Sequence, residues 1–195
     1  MTQNRRFTPP SMLKNPHIQS ILNSLGPRKI RAKWLAKKLN SETLTLTAKD
    51  GTRLLAEFDL SKTPNNSLII LLHGWEGSSQ SAYQVTTANY LLKQGFDVLR
   101  LNLRDHGDSH HLNFELFNST MTNEVAEAIA CFLETHRYEK RFLAGFSLGG
   151  NFTLRIAADH GSSLNLTAAV AICPPVDPTN AMTALDNTLF IYERY

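Results

Sequence analysis

At 195 residues, with 42% hydrophobic residues and a net charge of +3, the chain is long enough to build one domain around a single core. No apolar run is long enough to cross a bilayer, and no apolar run follows the charged first residues as in a secretory signal, so the predicted location is cytoplasmic. The two cysteines, Cys131 and Cys173, lack disulfide or metal-ligand spacing. This predicts buried, reduced thiols, with a nucleophilic role for either as the weaker alternative.

The positive charge is concentrated near the start of the chain. Residues 1–40 hold nine of the 20 Lys and Arg residues and no Asp or Glu. We interpret them as a basic helical arm that contacts anionic membrane surfaces, and no nucleic-acid partner is predicted. The alternative is a solvated helical cover whose lysines face water. The remaining residues, 41–195, form the second predicted unit.

Two elements are predicted before the main alternation of strands and helices. A short helix begins near Asn15, and its apolar residues recur at helical spacing: Ile18, Ile21, Leu22 and Leu25. Residues Thr43–Thr47 alternate Thr with Leu, as in a half-buried strand, and a turn at Gly51 leads into a second strand that ends near Leu60. The second pattern predicts an antiparallel hairpin.

From residue 67 onward, strands and helices alternate, which is typical of a parallel sheet with helices on both faces. Strands are predicted at Ser67–Leu72, Phe96–Asn102, Arg141–Ala144 and Leu166–Ile172. Helices are predicted at Ser81–Gln94, from a cap at Thr122, from Leu148 to a stop at Gly161, and from near Thr179.

The segment Gly145–Gly149 has the pattern G-x-S-x-G. A turn this tight, with a serine at its apex, brings the backbone two residues before the serine close to the backbone two residues after it. Only glycine fits at those two positions without steric overlap. The pattern alone also fits a glycine turn that ends a strand. The preceding strand and the helical stripe of Leu148, Phe152 and Ile156 favour a nucleophile elbow with Ser147 as the nucleophile.

Polar loops at residues 73–79 and 104–109 follow two other predicted strands. The carboxyl ends of parallel strands meet at one edge of a sheet, so both loops are expected beside the elbow. Gly74 allows a close backbone approach there. We therefore predict an oxyanion hole formed by the backbone N–H groups of Trp75 and Leu148.

Four motifs lie along the chain in a fixed order: Asn15-Pro16-His17-Ile18-Gln19, His73-Gly74 with Gly77-Ser78-Ser79, Asn102-Leu103-Arg104-Asp105-His106-Gly107-Asp108-Ser109, and Gly145-Phe146-Ser147-Leu148-Gly149-Gly150. With them the chain resembles the α/β-hydrolase superfamily and, within it, the YheT-like esterases related to the embryogenesis-associated and abhydrolase proteins. The resemblance implies an α/β-hydrolase fold, a mostly parallel sheet with an N-terminal antiparallel hairpin. It also implies a serine hydrolase of small-molecule or lipid carboxylic esters, with Ser147 as nucleophile and no cofactor.

The acid and the base of the family's triad have no clear counterpart. In this superfamily they follow the serine, in the order Ser, acid, His, on loops after later strands. The only histidine after Ser147 is His160, which lies about 20 Å along the predicted helix and cannot be the base. Asp177 is a candidate acid, but it fits better as a turn and helix-entry residue, and Asp186 is a weaker candidate.

The histidines that precede Ser147 are assigned structural roles. His73 is predicted to hold the loop beneath the oxyanion hole, and His106 to brace the turn after the next strand. His110 and His111 are adjacent, but without Cys or carboxylate partners at ligand spacing they do not predict a metal site.

We therefore expect residues 41–195 to form a partial α/β-hydrolase domain that lacks the family's C-terminal strands. One possible function is a serine esterase that is inactive or impaired in this form. The other is a noncatalytic module that binds an acyl ligand or a protein partner. The last predicted strand carries no charge and no proline, so an open sheet edge there predicts self-association.

Overall fold

The computed structural model describes residues 8–15, 18–19 and 27–186. The strands are β1 (Glu42–Thr47), β2 (Arg53–Asp59), β3 (Ser67–Leu72), β4 (Asp97–Leu101), β5 (Lys140–Phe146) and β6 (Ala168–Ile172). The α-helices are α1 (Pro27–Ala36), α2 (Ala82–Lys93), α3 (Thr122–Thr135), α4 (Leu148–His160) and α5 (Pro178–Asp186). None of the helices in these described ranges is long and apolar enough to span a membrane.

The strands form one six-stranded sheet in the order β1-β2-β4-β3-β5-β6. β2 is antiparallel to both of its neighbours, and the pairs β3–β4, β3–β5 and β5–β6 are parallel. The predicted hairpin is β1–β2, and its turn places Gly51 at a φ of 89°, a conformation that glycine adopts at no steric cost. The predicted fold class is therefore confirmed.

The core lies on both faces of the sheet. β3 is buried along its whole length, and its residues alternate between the faces. Leu68, Ile70 and Leu72 pack in the larger cluster with α3 and α4, which includes Phe132 and Phe152. The residues between them, Ile69 and Leu71, pack in a smaller cluster with Ala88 of α2. α3 and α4 thus cover one face, and α2 covers part of the other.

A buried ion pair crosses from β2 to β4. Nε and Nη2 of Arg100 donate to Oδ2 of Asp59 at 3.1 Å and 3.0 Å, and the two residues are 1% and 2% exposed. Nη1 of Arg100 donates to the Ser79 carbonyl, and Nη2 also donates to the Ser41 hydroxyl. A buried charge requires such partners, and these link the sheet to the loop after β3.

A few local predictions change in detail. Thr122 is the first residue of α3, not its cap, and Met121 holds the cap position. The last strand begins at Ala168, two residues later than the predicted start at Leu166. Cys131 is only half-buried and Cys173 is exposed, so the prediction that both thiols are buried is wrong for Cys173 and holds only in part for Cys131. Of the helix predicted after Asn15, Ile21, Leu22 and Leu25 lie outside the described residues.

Candidate active site

Ser147 occupies the sharp turn between β5 and α4. Its φ of 51° and ψ of −116° lie in a region that non-glycine residues rarely adopt, and its side chain is exposed. The Ser147 N–H donates to the Ile172 carbonyl of β6 at 2.9 Å, and the Ser147 carbonyl accepts from the Asn151 N–H of α4 at 3.0 Å. Backbone hydrogen bonds thus hold this strained residue on two elements, while its hydroxyl faces solvent.

The two glycines of the motif lie where β5 and α4 cross. A Cβ added at Gly145 would overlap the Gly149 carbonyl group and the Thr153 hydroxyl. A Cβ added at Gly149 would overlap the His73 carbonyl oxygen and lie 2.6 Å from the Leu72 carbonyl oxygen. Most of these neighbouring atoms belong to the backbone and cannot move aside easily. The glycines therefore allow the serine turn to form against the end of β3.

The loop after β3 approaches the elbow at Gly74. A Cβ built on Gly74 would lie 3.2 Å from the Phe146 carbonyl oxygen and 3.2 Å from Ser147 Cβ. The Gly74 N–H donates to the Tyr83 hydroxyl at 2.9 Å, and the Gly77 N–H donates to the Gly74 carbonyl at 3.0 Å. The loop is therefore fixed on both sides of Trp75.

The two predicted oxyanion donors differ in their surroundings. The Trp75 side chain is 62% exposed, and its indole N–H donates to Glu76, whereas Leu148 is 7% exposed and is the first residue of α4. Neither backbone N–H donates to an acceptor among the described residues. The first N–H groups of a helix lack intrahelical acceptors, so the Leu148 N–H remains free to bind a ligand oxygen.

His73 is a buried structural histidine. Its Nδ1–H donates to the Gly74 carbonyl at 2.7 Å, and its Nε2 accepts the Leu103 N–H at 3.0 Å, which defines a neutral ring. Burial lowers the pKa of His73 to about 4, and the ring of His106 lies 4.9 Å away. Both ring nitrogens are occupied, so His73 supports the loop and is not a free base.

The loop after β4 is built on a second buried ion pair. Nη2 of Arg104 donates to Oε2 of Glu124 at 2.6 Å and to the Thr52 hydroxyl at 2.8 Å. Burial raises the pKa of Glu124, and the hydrogen bond from Arg104 opposes that rise. His106 hydrogen bonds to the Arg104 carbonyl at 2.7 Å, which agrees with its predicted bracing role.

Two of the residues weighed as acid and base hydrogen bond to asparagines. Asp177 accepts the Asn180 N–H at 3.1 Å and caps α5, as expected of a helix-entry residue. Asp186 is the last residue of α5, and His160 lies at the far end of α4, where it hydrogen bonds to Asn123. Within the described part of the chain, no side chain hydrogen bonds to the Ser147 hydroxyl.

His110 and His111 lie in the loop after β4. Across the ranges that the structure describes, no group of three or more His, Cys, Asp and Glu residues could hold a metal ion. The structure therefore gives neither histidine a set of partner ligands.

Sequence analysis missed Tyr83 and the two buried arginines. Arg100 could have been identified from the sequence, because it interrupts the apolar run Val98–Leu101. A charged residue within a buried strand indicates a buried ion pair, since a buried arginine needs a carboxylate partner. The partner could not be found from spacing, since Asp59 and Glu124 lie on other elements. Tyr83 gave no signal, because a tyrosine in the first turn of an amphipathic helix also fits a packing role.

The chain shares its fold with a known family of proteins. Residues 67–192 match the model of the α/β-hydrolase fold family. The chain belongs to this family. The resemblance found in the motifs is confirmed at this level.

Named relatives in this family include esterases. The chain is 22% identical to the putative esterase YheT of Escherichia coli over 171 residues, which cover 87% of this chain and 48% of YheT. It is 36% identical to the AB hydrolase superfamily protein YisY of Bacillus subtilis over 93 residues, which cover 47% of this chain and 32% of YisY. The chain thus spans half or less of the length of these relatives.

Solved structures share the fold. An esterase of Pyrococcus furiosus superposes with a TM-score of 0.67 at 20% identity, over 81% of this chain and 59% of that protein. A lidless α/β serine hydrolase of Xanthomonas campestris superposes with a TM-score of 0.60 at 25% identity, over 70% of this chain and 62% of that protein. These likenesses agree with the α/β-hydrolase fold of the chain.

Proposed function

We propose that this chain carries the nucleophile and the oxyanion hole of a serine hydrolase of carboxylic esters. Ser147 is the nucleophile, and the N–H groups of Trp75 and Leu148 are the oxyanion donors. The observation that carries the proposal is the exposed hydroxyl of Ser147 on a residue with φ of 51°, directly before the free N–H of Leu148. The esterases among its relatives support the substrate class.

The chemistry follows from this arrangement. The Ser147 oxygen attacks the ester carbonyl carbon, and its proton passes to solvent water, since no described side chain hydrogen bonds to this hydroxyl. The negative charge that forms on the carbonyl oxygen is stabilised by the two N–H donors, and each such donor contributes about 3 to 4 kcal/mol. The intermediate then expels the alcohol and leaves an acyl-serine, which water hydrolyses to the carboxylic acid and the free enzyme.

Ser147 has no hydrogen-bonded base among the described residues, so no side chain there is placed to take its proton as it attacks. We therefore expect the 195-residue protein to hydrolyse p-nitrophenyl butyrate only slowly. An oxyanion hole and binding alone leave about 10³ to 10⁴-fold catalysis over water in serine hydrolases that have lost a triad member. The part of this activity that passes through an acyl-serine should disappear in Ser147→Ala and persist in Ser162→Ala, which removes an exposed serine beyond α4.

A Ser147→Cys variant tests the oxyanion hole without requiring a base. A thiol is already partly ionised near pH 8, so it can be acylated directly. In a Cys173→Ser background, Ser147→Cys should release one equivalent of p-nitrophenol in a burst at least about tenfold faster than Ser162→Cys. Equal burst rates would refute the proposed oxyanion site, because they would show that position 147 gives a thiol no catalytic advantage.

A second candidate function is noncatalytic binding of an acyl ligand. It is favoured by an apolar groove of about 240 Å³ that reaches Phe146, the residue before the serine. The groove is lined by Ile69, Leu71, Thr87, Leu91, Phe96, Phe142, Leu143, Ala144, Phe146, Val170 and Ile172. This function predicts binding of a short fatty acid that Phe142→Gln weakens and Ser147→Ala leaves unchanged, measured by NMR titration, with no thiol burst in Ser147→Cys.

A further inference from the structure

Helix α1 has two apolar faces. Ala32 and Leu35 are 4% and 7% exposed, and α1 packs against α2. Ile30 and Trp34 are one helical turn apart and are 75% and 56% exposed. At about 100° per residue, the exposed pair points about 150° away from the buried pair. The described residues therefore cover one apolar face of α1 and leave the other open to solvent.

Cations flank the open face on both sides. In helical projection, Arg31 lies on one side of Ile30 and Trp34, and Lys29 and Lys33 lie on the other, while Lys37 and Lys38 follow in the turn directly after α1. All five cationic side chains are exposed, and residues 27–40 contain no Asp or Glu. Nζ of Lys38 lies 3.4 Å from the centre of the Trp34 ring, so the indole face and an ammonium group meet directly.

We propose that this α1 surface, defined by Ile30, Trp34 and the five cations around them, binds an anionic lipid bilayer. Ile30 and the Trp34 indole enter the boundary between headgroups and acyl chains, a depth that tryptophan favours in membrane proteins. The lysine and arginine side chains extend outward to the lipid phosphates, as long cationic side chains do at such boundaries. The proposal does not depend on the reaction proposed for Ser147.

Charge and hydrophobicity together point to a bilayer. A nucleic acid or another dissolved polyanion would satisfy the cations but would leave Ile30 in water, since phosphate groups offer it no apolar contact. A bilayer carrying anionic lipids supplies the charge and the apolar layer in one plane, parallel to the helix axis. Each cation near such a surface contributes about 1 kcal/mol, which corresponds to about a fivefold increase in affinity.

Tryptophan fluorescence tests insertion directly. The chain has two tryptophans, so the Trp75→Phe variant reports on Trp34 alone and Trp34→Phe reports on Trp75 alone. With vesicles of phosphatidylcholine and phosphatidylglycerol, the emission of Trp34 should shift to shorter wavelength, and that of Trp75 should not. Vesicles of phosphatidylcholine alone should cause no shift. An unshifted Trp34 in the presence of anionic vesicles overturns the proposal.

Vesicle co-sedimentation separates the two contributions. Lys33→Gln with Lys37→Gln should weaken binding roughly 25-fold, because two cations are lost. The matched control, Lys49→Gln with Lys140→Gln, removes the same charge from exposed positions outside α1 and should change binding less than about twofold. Ile30→Ala with Trp34→Ala should weaken binding at least about tenfold, with unchanged thermal unfolding because both side chains are exposed.

The remaining outcomes contradict the proposal. If the control pair weakens binding as much as the α1 pair, the interaction depends on net charge and not on this surface. If Ile30→Ala with Trp34→Ala binds vesicles as well as the unchanged protein, the apolar residues do not enter the bilayer. If heparin binds with the affinity of the vesicles and displaces the protein from them at low salt, the partner is a polyanion.

Discussion

The two faces of the sheet are covered to different extents. On one face, α3 and α4 bury Leu68, Ile70, Leu72 and Leu143 in a continuous cluster. On the other face, α2 covers Ile69 and Leu71, but toward β5 and β6 an apolar groove of about 240 Å³ stays open. We call these the closed face and the open face.

The difference shows where the elbow obtains its rigidity. Ser147 directly precedes α4, and α4 belongs to the closed face, where Phe152 and Ile156 are completely buried. β5 contributes to both faces, but the glycine crossing joins it to α4. The elbow should therefore depend on packing in the closed face and only weakly on the residues that line the groove.

The largest effect is expected at the glycine crossing. Gly145→Ala places a methyl group on backbone atoms of Gly149 and should cost at least about 4 kcal/mol, or prevent folding. Gly150→Ala is the matched control, because its added Cβ would make a tight contact of 3.1 Å with the Gly145 carbonyl oxygen but would not overlap it. It should change the free energy of unfolding by less than about 1 kcal/mol. Urea unfolding of both variants measures this, and equal stabilities would show that the crossing tolerates a side chain.

A matched pair of phenylalanines compares the faces directly. Phe152→Ala removes a fully buried ring from the closed face and should cost about 3 to 5 kcal/mol. Phe142 is half-buried and lines the groove, so Phe142→Ala should cost about 1 to 2 kcal/mol. Both values come from urea unfolding. Equal losses would contradict the contrast between the closed face and the open face.

His73 makes stability dependent on pH at the end of β3. Burial lowers its pKa from 6.5 to about 4, so the unfolded chain binds the proton first as the pH falls. The stabilisation is complete above pH 6.5 and is lost between pH 6.5 and pH 4, by up to about 3 kcal/mol. Urea unfolding across this range should show the loss, and His73→Gln should reduce the slope. An NMR pKa for His73 near 6.5 would contradict this prediction.

The sequence alone predicted most of the fold and the sharp turn at Ser147. β3 was predicted at its observed bounds because a run of aliphatic residues between polar loops specifies a strand buried on both faces. The turn at Ser147 was predicted because it requires small residues two positions before and two positions after the serine. The five residues of the motif contain all of this information.

Long-range side-chain partners were not predictable in the same way. The pairs Arg100–Asp59 and Arg104–Glu124 join residues 41 and 20 positions apart, and periodicity carries no information about such contacts. The contact of Tyr83 with Gly74 depends on the orientation of α2 relative to the loop after β3. No local sequence pattern specifies that orientation. The role of Asp177 as a helix-entry residue is a local feature. Its carboxylate accepts the Asn180 N–H three residues later, and its position just before the last predicted helix had suggested this contact.

The smallest effect on stability is expected at the edge of the sheet beside the groove. β6 pairs with β5 on one side, and the described residues place no strand on its other side. Its backbone groups there are free to pair with a second copy, and Val170 and Ile172 are 55% and 37% exposed. We therefore propose that this 195-residue protein self-associates through β6.

A charge on β6 should remove this association without unfolding the protein. Val170→Lys places an ammonium group at the edge, where pairing two copies would bring like charges together, and at an exposed site it should change stability by less than about 0.5 kcal/mol. Leu154→Lys is the matched control, because Leu154 is a 44% exposed apolar residue on α4, away from the edge. Sedimentation velocity over a range of concentrations should show association for the unchanged protein and for Leu154→Lys, but monomers for Val170→Lys. If Leu154→Lys is equally effective, or if the unchanged protein is monomeric throughout, then β6 is not the contact.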